Sequence, residues 1–116
     1  MDILLSRMFV SSRHFDKKWT SLGLNDDDLL VLQEAICRNP QKYPVIRGTG
    51  GLRKARIAFR GKGKSGGIRV LFVDFLDNEV IGLVYVYSKN QQEEISEDDR
   101  KIFKLMIEQM RKSWRD

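Results

Sequence analysis

Two apolar runs sit almost back to back in this chain: IRVLFVDF over residues 68–75 and VIGLVYVY over residues 80–87. Both are dense in β-branched and aromatic side chains, which fit a pleated, packed surface better than a helix. Between them lies Asp77-Asn78. Short polar side chains of this kind bond back to their own backbone and turn the chain. The runs are therefore expected to lie side by side as strands. A further strand is expected upstream, after Gly50-Gly51. There Arg53, Ala55, Ile57 and Phe59 alternate with Lys54, Arg56, Ala58 and Arg60, as in a strand with one basic face.

The flanking segments are mostly helical in pattern. Ile3 to Val10 is apolar with Ser6 and Arg7 interposed, and is expected to form a first strand. Phe15, Trp19 and Leu22 follow at i, i+4 and i+7, the spacing of one helical face. Asn25 precedes three aspartates, Asp26 to Asp28. Its side chain can cap a helix whose positive dipole end the carboxylates then face. That helix carries Leu29, Leu32, Gln33 and Ile36 on one side and has to stop before Pro40. Ser96 opens a final helix with Ile102, Phe103, Met106, Ile107 and Met110 as its apolar stripe. The resulting order is β-α-α-β-β-β-α. It describes an α+β fold in which a mixed, largely antiparallel sheet is covered by helices. The 116 residues suit one domain, 1–116, large enough to bury its own core.

Cys37 is the one cysteine, so no internal disulfide can form. No apolar run approaches the roughly 20 residues of a membrane helix. The start MDILLSRMFV lacks the pattern of a secretory signal. A reducing, cytoplasmic location without membrane association is expected. The net charge is +5, and its distribution is uneven. From Asn39 through Val73 there is no Asp or Glu, while Lys42, Arg47, Arg53, Lys54, Arg56, Arg60, Lys62, Lys64 and Arg69 all fall there. The acids gather at Asp26 to Asp28 and from Glu93 to Asp99. Segregation of this kind makes a positive surface suited to polyanions, above all nucleic acid.

Within the basic segment, AFRGKGKS fits a relaxed phosphate-binding loop. Such a loop runs from a strand into a helix whose N-terminus holds the phosphates. Here Gly66-Gly67 and a strand-forming run follow, so the match is read as chance. A flexible hairpin from Gly61 to Gly67 is the better reading. Its bland role is a charged edge that resists aggregation. The preponderance of arginine favours RNA contact, because the guanidinium pairs with phosphate and stacks on bases.

The stretch GTGGLRKARIAFRGKGKSGGIRVLFVDF, with VYVYSKN downstream, resembles the RelE/ParE superfamily of type II toxins, and most closely its HigB-like branch. The resemblance spans nearly the whole chain, from the N-terminal strand to the closing helix. It implies a RelE-like fold, a cognate antitoxin encoded beside the toxin, and ribosome-dependent cleavage of messenger RNA. RNA can be cut without metal when its own 2′-hydroxyl attacks the adjacent phosphate. The enzyme then has to take the hydroxyl proton, offset charge on phosphorus and protonate the leaving 5′-oxygen. His14 stands alone beside the first helix and reads as a surface residue. No histidine pair or Cys/His metal cluster exists, so a lysine-and-arginine site without cofactor is what remains.

By resemblance, Lys54 and Arg56 match basic positions on the strand lining the family's site, and Arg69 matches an arginine on the facing strand. Lys54 is the expected base, since neighbouring cations lower a lysine pKa. Arg56 and Arg69 would hold the scissile phosphate. Arg53, Arg60, Lys62, Lys64 and Lys89 are expected RNA contacts. Some relatives carry a tyrosine near the position of Ser96, which here reads as a helix cap. Tyr85 and Tyr87 share a face and read as core or site residues, with the structural reading of Tyr87 placed first. Two other functions share these features: gyrase inhibition of the ParE kind, and non-catalytic binding to RNA or ribosome.

Overall fold

In the computed structural model, which describes residues 6–59, 67–89, 91 and 95–113, the two apolar runs do pair as antiparallel strands. The chain forms β1 (Met8–Ser11), α1 (Arg13–Ser21), α2 (Asp26–Arg38), β2 (Leu52–Ile57), β3 (Ile68–Phe75), β4 (Val80–Ser88) and α3 (Glu97–Lys112). The four strands make one sheet in the order β1-β4-β3-β2. β2, β3 and β4 are a meander, and β1 lies parallel to β4 with Met8 opposite Val80. This is the α+β arrangement expected from the sequence. Because β3 continues the chain past Gly67 as a strand, the segment AFRGKGKS does not lead into a helix.

The central strand explains the apolar run that encodes it. Ile68, Val70, Leu71 and Phe72 are each at most 1% exposed. A strand buried on both sides reads as a continuous apolar run and not as an alternation. On one face, Ala55, Ile68, Val70, Phe72, Ile81 and Leu83 pack against Phe15 and Trp19 of α1 and Leu32 and Ile36 of α2. On the other, Leu52, Leu71, Val73 and Phe75 pack against Phe103 and Ile107 of α3. Each large side chain buried in this way contributes roughly 1.5–3 kcal/mol.

Helix limits follow from reciprocal caps. Asn25 Oδ1 accepts from the Asp28 N–H at 2.9 Å, and Asp28 Oδ2 accepts from the Asn25 N–H at 2.9 Å. Ser96 and Asp99 repeat the arrangement at 3.1 and 3.2 Å, so Ser96 is a cap as expected. α2 ends at Arg38, ahead of Pro40.

Two expectations need correction. Among the described residues the first strand begins at Met8 and runs to Ser11, with Ser6 and Arg7 forming a bend before it; Ile3 to Leu5 lie outside the described residues. Within that bend, Arg7 Nε sits 3.5 Å from Asp74 Oδ1, a carboxylate whose side chain is 2% exposed. In α3, Phe103 and Ile107 are buried and Met106 and Met110 half-buried, while Ile102 is 56% exposed. The apolar stripe is therefore narrower than its sequence suggested.

Gly67 enters β3 at φ +74, and a Cβ there would collide with the carbonyl oxygen of Ile57. Gly23 has a similar φ of +79 with open space around it. Both Gly→Ala changes carry the left-handed penalty of about 1 kcal/mol. Gly67→Ala should cost a further ~1–3 kcal/mol for the collision. Thermal melts of the two variants check this: Gly67→Ala should unfold at clearly lower temperature than Gly23→Ala.

Candidate functional site

Pairing of the strands lines up two rows across the sheet. Arg56 on β2 faces Arg69 on β3, which faces Tyr87 on β4. One step along, Lys54 faces Leu71, which faces Tyr85. Directly opposed residues point to the same side of a sheet, here the side that carries α3. α3 covers Leu52, Leu71, Val73 and Phe75. Its cover does not extend over the cations: Lys54 and Arg69 are only half-buried and Arg56 is exposed. A register shift after Leu71 passes over Val84, which brings Tyr85 and Tyr87 onto this side beside Val84.

The crowding has an electrostatic result. Lys54's ammonium is held below the usual lysine range, first by partial burial and then by the charges of Arg56 and Arg69. All three effects oppose the charged form, so a larger share of the amine is neutral, and free to accept a proton, than in an ordinary lysine at the same pH. Tyr87 is 3% exposed, and burial raises its phenol above the usual range against the opposing pull of Arg69 and Arg56. It therefore stays protonated and able to donate. The site thus joins two permanent cations, a lysine biased toward its neutral form and a neutral phenol. Such a set can bind an oxyanion and accept a proton.

Not every basic residue expected here arrives. Arg53 alternates to the opposite face, where Nη1 donates to the carbonyls of Tyr43 at 2.6 Å and Gln41 at 3.3 Å. Its Nη2 donates to Gln41 Oε1 at 3.2 Å. Lys89 lies just past the end of β4, exposed, with its N–H donating to the Gly67 carbonyl at 3.4 Å. Arg60, Lys62 and Lys64 lie outside the described residues.

His14 is exposed as expected, yet its ring stacks on Tyr85 with centroids 4.8 Å apart and planes 9° apart. Tyr85 in turn lies 5.9 Å from the Tyr87 ring. Sequence reasoning missed this contact because only the parallel pairing of β1 with β4 brings the start of α1 beside Tyr85. An apolar cleft of about 410 Å3 there, lined by Val84, Tyr85, Phe103 and Met106 among others, holds none of the three cations. Among the described residues no group of three or more His, Cys, Asp or Glu is placed to hold a metal ion, and no helix is long and apolar enough to cross a membrane.

A titration tests the electrostatics without any assay of activity. Resolved by NMR, Lys54 should lose its proton below the ordinary lysine range. Arg56→Ala or Arg69→Ala should move that midpoint upward, since each removes a charge that opposes protonation. A lowered folded-state pKa means the unfolded chain binds the extra proton. Lys54 therefore opposes folding while charged, and stability should rise as pH climbs from its lowered midpoint toward the ordinary lysine value.

Two solved structures share this architecture. A double arginine-to-alanine mutant of the E. coli toxin RelE, in the free state, aligns with a TM-score of 0.53 at 16% identity, covering 77% of this chain and 90% of that one. A chain of the intact E. coli RelBE toxin–antitoxin complex aligns at 0.51, again with 16% identity, over 71% of this chain and 95% of its own. At that identity the likeness is one of fold. Sequence supplies the rest: the family described as "RelE toxin of RelE / RelB toxin-antitoxin system" matches residues 6–115. With a match over nearly its full length and a sheet of the same design, the chain belongs to the RelE toxin family.

Proposed function

We propose that this toxin arrests translation by cutting messenger RNA held in the ribosome, through the face that carries Lys54, Arg56 and Arg69. The observation that carries this reading is the convergence of the three residues on one face of the sheet, with the Lys54 pKa lowered by burial and by the two arginines. In the proposed step the neutral Lys54 amine takes the proton of a ribose 2′-hydroxyl. The 2′-oxygen attacks the adjacent phosphorus, a P–O bond forms, and the bond to the 5′-oxygen breaks. That oxygen takes the proton back from the Lys54 ammonium, directly or through water, which restores the neutral amine, and the other product is a 2′,3′-cyclic phosphate. Arg56 and Arg69 hold the non-bridging oxygens, whose charge grows in the transition state. Tyr87 adds a neutral donor beside Arg69.

Cations without a histidine make a weak ribonuclease, so the substrate has to be shaped by an external scaffold. The ribosome fills that role in the proposal. The HigB-like character also stands as a proposal, supported by the GGLRK and GKSGG-R motifs. The partner that silences the toxin is proposed to be an antitoxin encoded beside it. The basic face favours an acidic segment that folds on binding. Support comes from the family and from the RelBE complex among the similar structures.

Mapping transcript ends in cells that express the protein tests the reaction. Cuts inside translated codons are expected. Altered DNA supercoiling with intact messages would instead point to gyrase, and arrest with neither change to binding alone. On programmed ribosomes, Lys54→Arg keeps the charge but removes the base, and should lower the single-turnover rate about 10²–10⁴-fold. Arg56→Ala or Arg69→Ala should lower it about 10²–10³-fold. All three variants should retain cooperative melts. The wild-type rate should rise with pH until Lys54 is fully neutral. A fully active Lys54→Arg variant would remove lysine from the mechanism.

A further inference from the structure

The positive surface does not stop at the edge of the sheet. β2 is an outer strand, and beside it lies an open groove of about 540 Å3. Ala35 of α2, Lys42, Tyr43 and Pro44 of the following turn, and Lys54 and Arg56 of β2 line it. Three of these are cations and none is an acid. Lys54 and Arg56 belong to the proposed site as well, so groove and site share a wall. Lys42, exposed on the opposite wall, has no role so far.

The turn that carries Lys42 is braced on both sides of it. The Arg53 fork donates to the Gln41 carbonyl, the Gln41 side chain and the Tyr43 carbonyl. Gln41 Nε2 donates to Asp74 Oδ2 at 3.0 Å, which ties the turn to a buried carboxylate. The Tyr43 hydroxyl donates to the Ala35 carbonyl at 3.3 Å, and its ring meets Phe72 edge-on at 5.5 Å. The Lys54 N–H donates to the Pro44 carbonyl at 3.1 Å. Lys42 therefore projects from a fixed base, with Nζ 5.2 Å from the centre of the Tyr43 ring.

We infer that this groove binds the RNA nucleotide that flanks the scissile phosphate, with Lys42 contacting the phosphate of that neighbour. Tyr43, Pro44 and Ala35 offer an apolar floor for its sugar or base, as a strand-tracking groove requires. Arg53 is a positioning residue: it touches no RNA and holds the turn in place. The inference rests on the RNA-cleavage reading and adds the direction in which the strand leaves the site, over the β2 edge.

Fluorescence anisotropy with 2′-O-methyl RNA, which lacks the nucleophile and stays intact, tests the groove. A dinucleotide and a longer oligonucleotide are titrated across a salt series. Lys42→Ala should weaken the longer RNA several-fold, lower its salt slope by about 0.7, and leave the dinucleotide unchanged. Arg69→Ala should weaken both. Arg53→Lys, which loses the fork, should weaken the longer RNA, and combining it with Lys42→Ala should add little. If Lys42→Ala binds both RNAs like wild type while Arg69→Ala binds neither well, the groove assignment is overturned and the cleavage site stands. If Lys42→Ala weakens only the antitoxin complex, the groove belongs to a protein partner and the assignment is overturned. If the wild type binds neither RNA, the groove assignment is overturned, while the cleavage reading is judged separately by the assay on programmed ribosomes.

Discussion

β3 has almost no surface of its own, and the rest of the molecule is arranged around that constraint. α1 and α2 cover one side of it and α3 the other. A backbone buried this deeply has to satisfy its polar groups through ladders on both edges, which β2 and β4 supply. Arg69 is the one cation in the run, and it is half-buried among neighbours that are nearly all inaccessible. α3 packs on the same side of the sheet through Phe103 and Ile107, against Leu52, Leu71, Val73 and Phe75.

That face is electrostatically uneasy. Two guanidiniums and an ammonium stand on β2 and β3, neighbouring strands whose backbones lie about 5 Å apart. Like charges so placed oppose folding, and the lysine answers by shifting toward its neutral form. The protein tolerates this because the strands below are held by buried aliphatic and aromatic side chains. Binding an anion relieves the repulsion, so the same arrangement that weakens the empty protein strengthens its hold on a phosphate.

Much of the fold was legible in the sequence because period and capping are local. The run 68–75, the stop before Pro40 and the Asn25 and Ser96 caps all appear where their residue types put them. Lys54, Arg56 and Arg69 were legible through resemblance, and their register then placed them together. What was not legible depends on pairs distant in sequence. Nothing local distinguishes Arg53 from Arg56, yet one is spent on carbonyls of a turn and the other points outward. The bend at Ser6 and Arg7 gave no local sign, and Arg7 meets Asp74, far along the chain. His14 gave no sign of Tyr85 for the same reason.

The parallel pairing of β1 with β4 also fixes an order of events during synthesis. The helices α1 and α2 leave the ribosome before β2, β3 and β4, and β1 waits for a neighbour, β4, that follows about 70 residues later. Long-range pairing of this kind is slow to close, since a long loop has to be drawn in first. Tyr85 and Tyr87 lie on that same late strand, and α3 follows it. A nascent chain therefore presents cations without their partners, and the complete face cannot exist until β4 has been made.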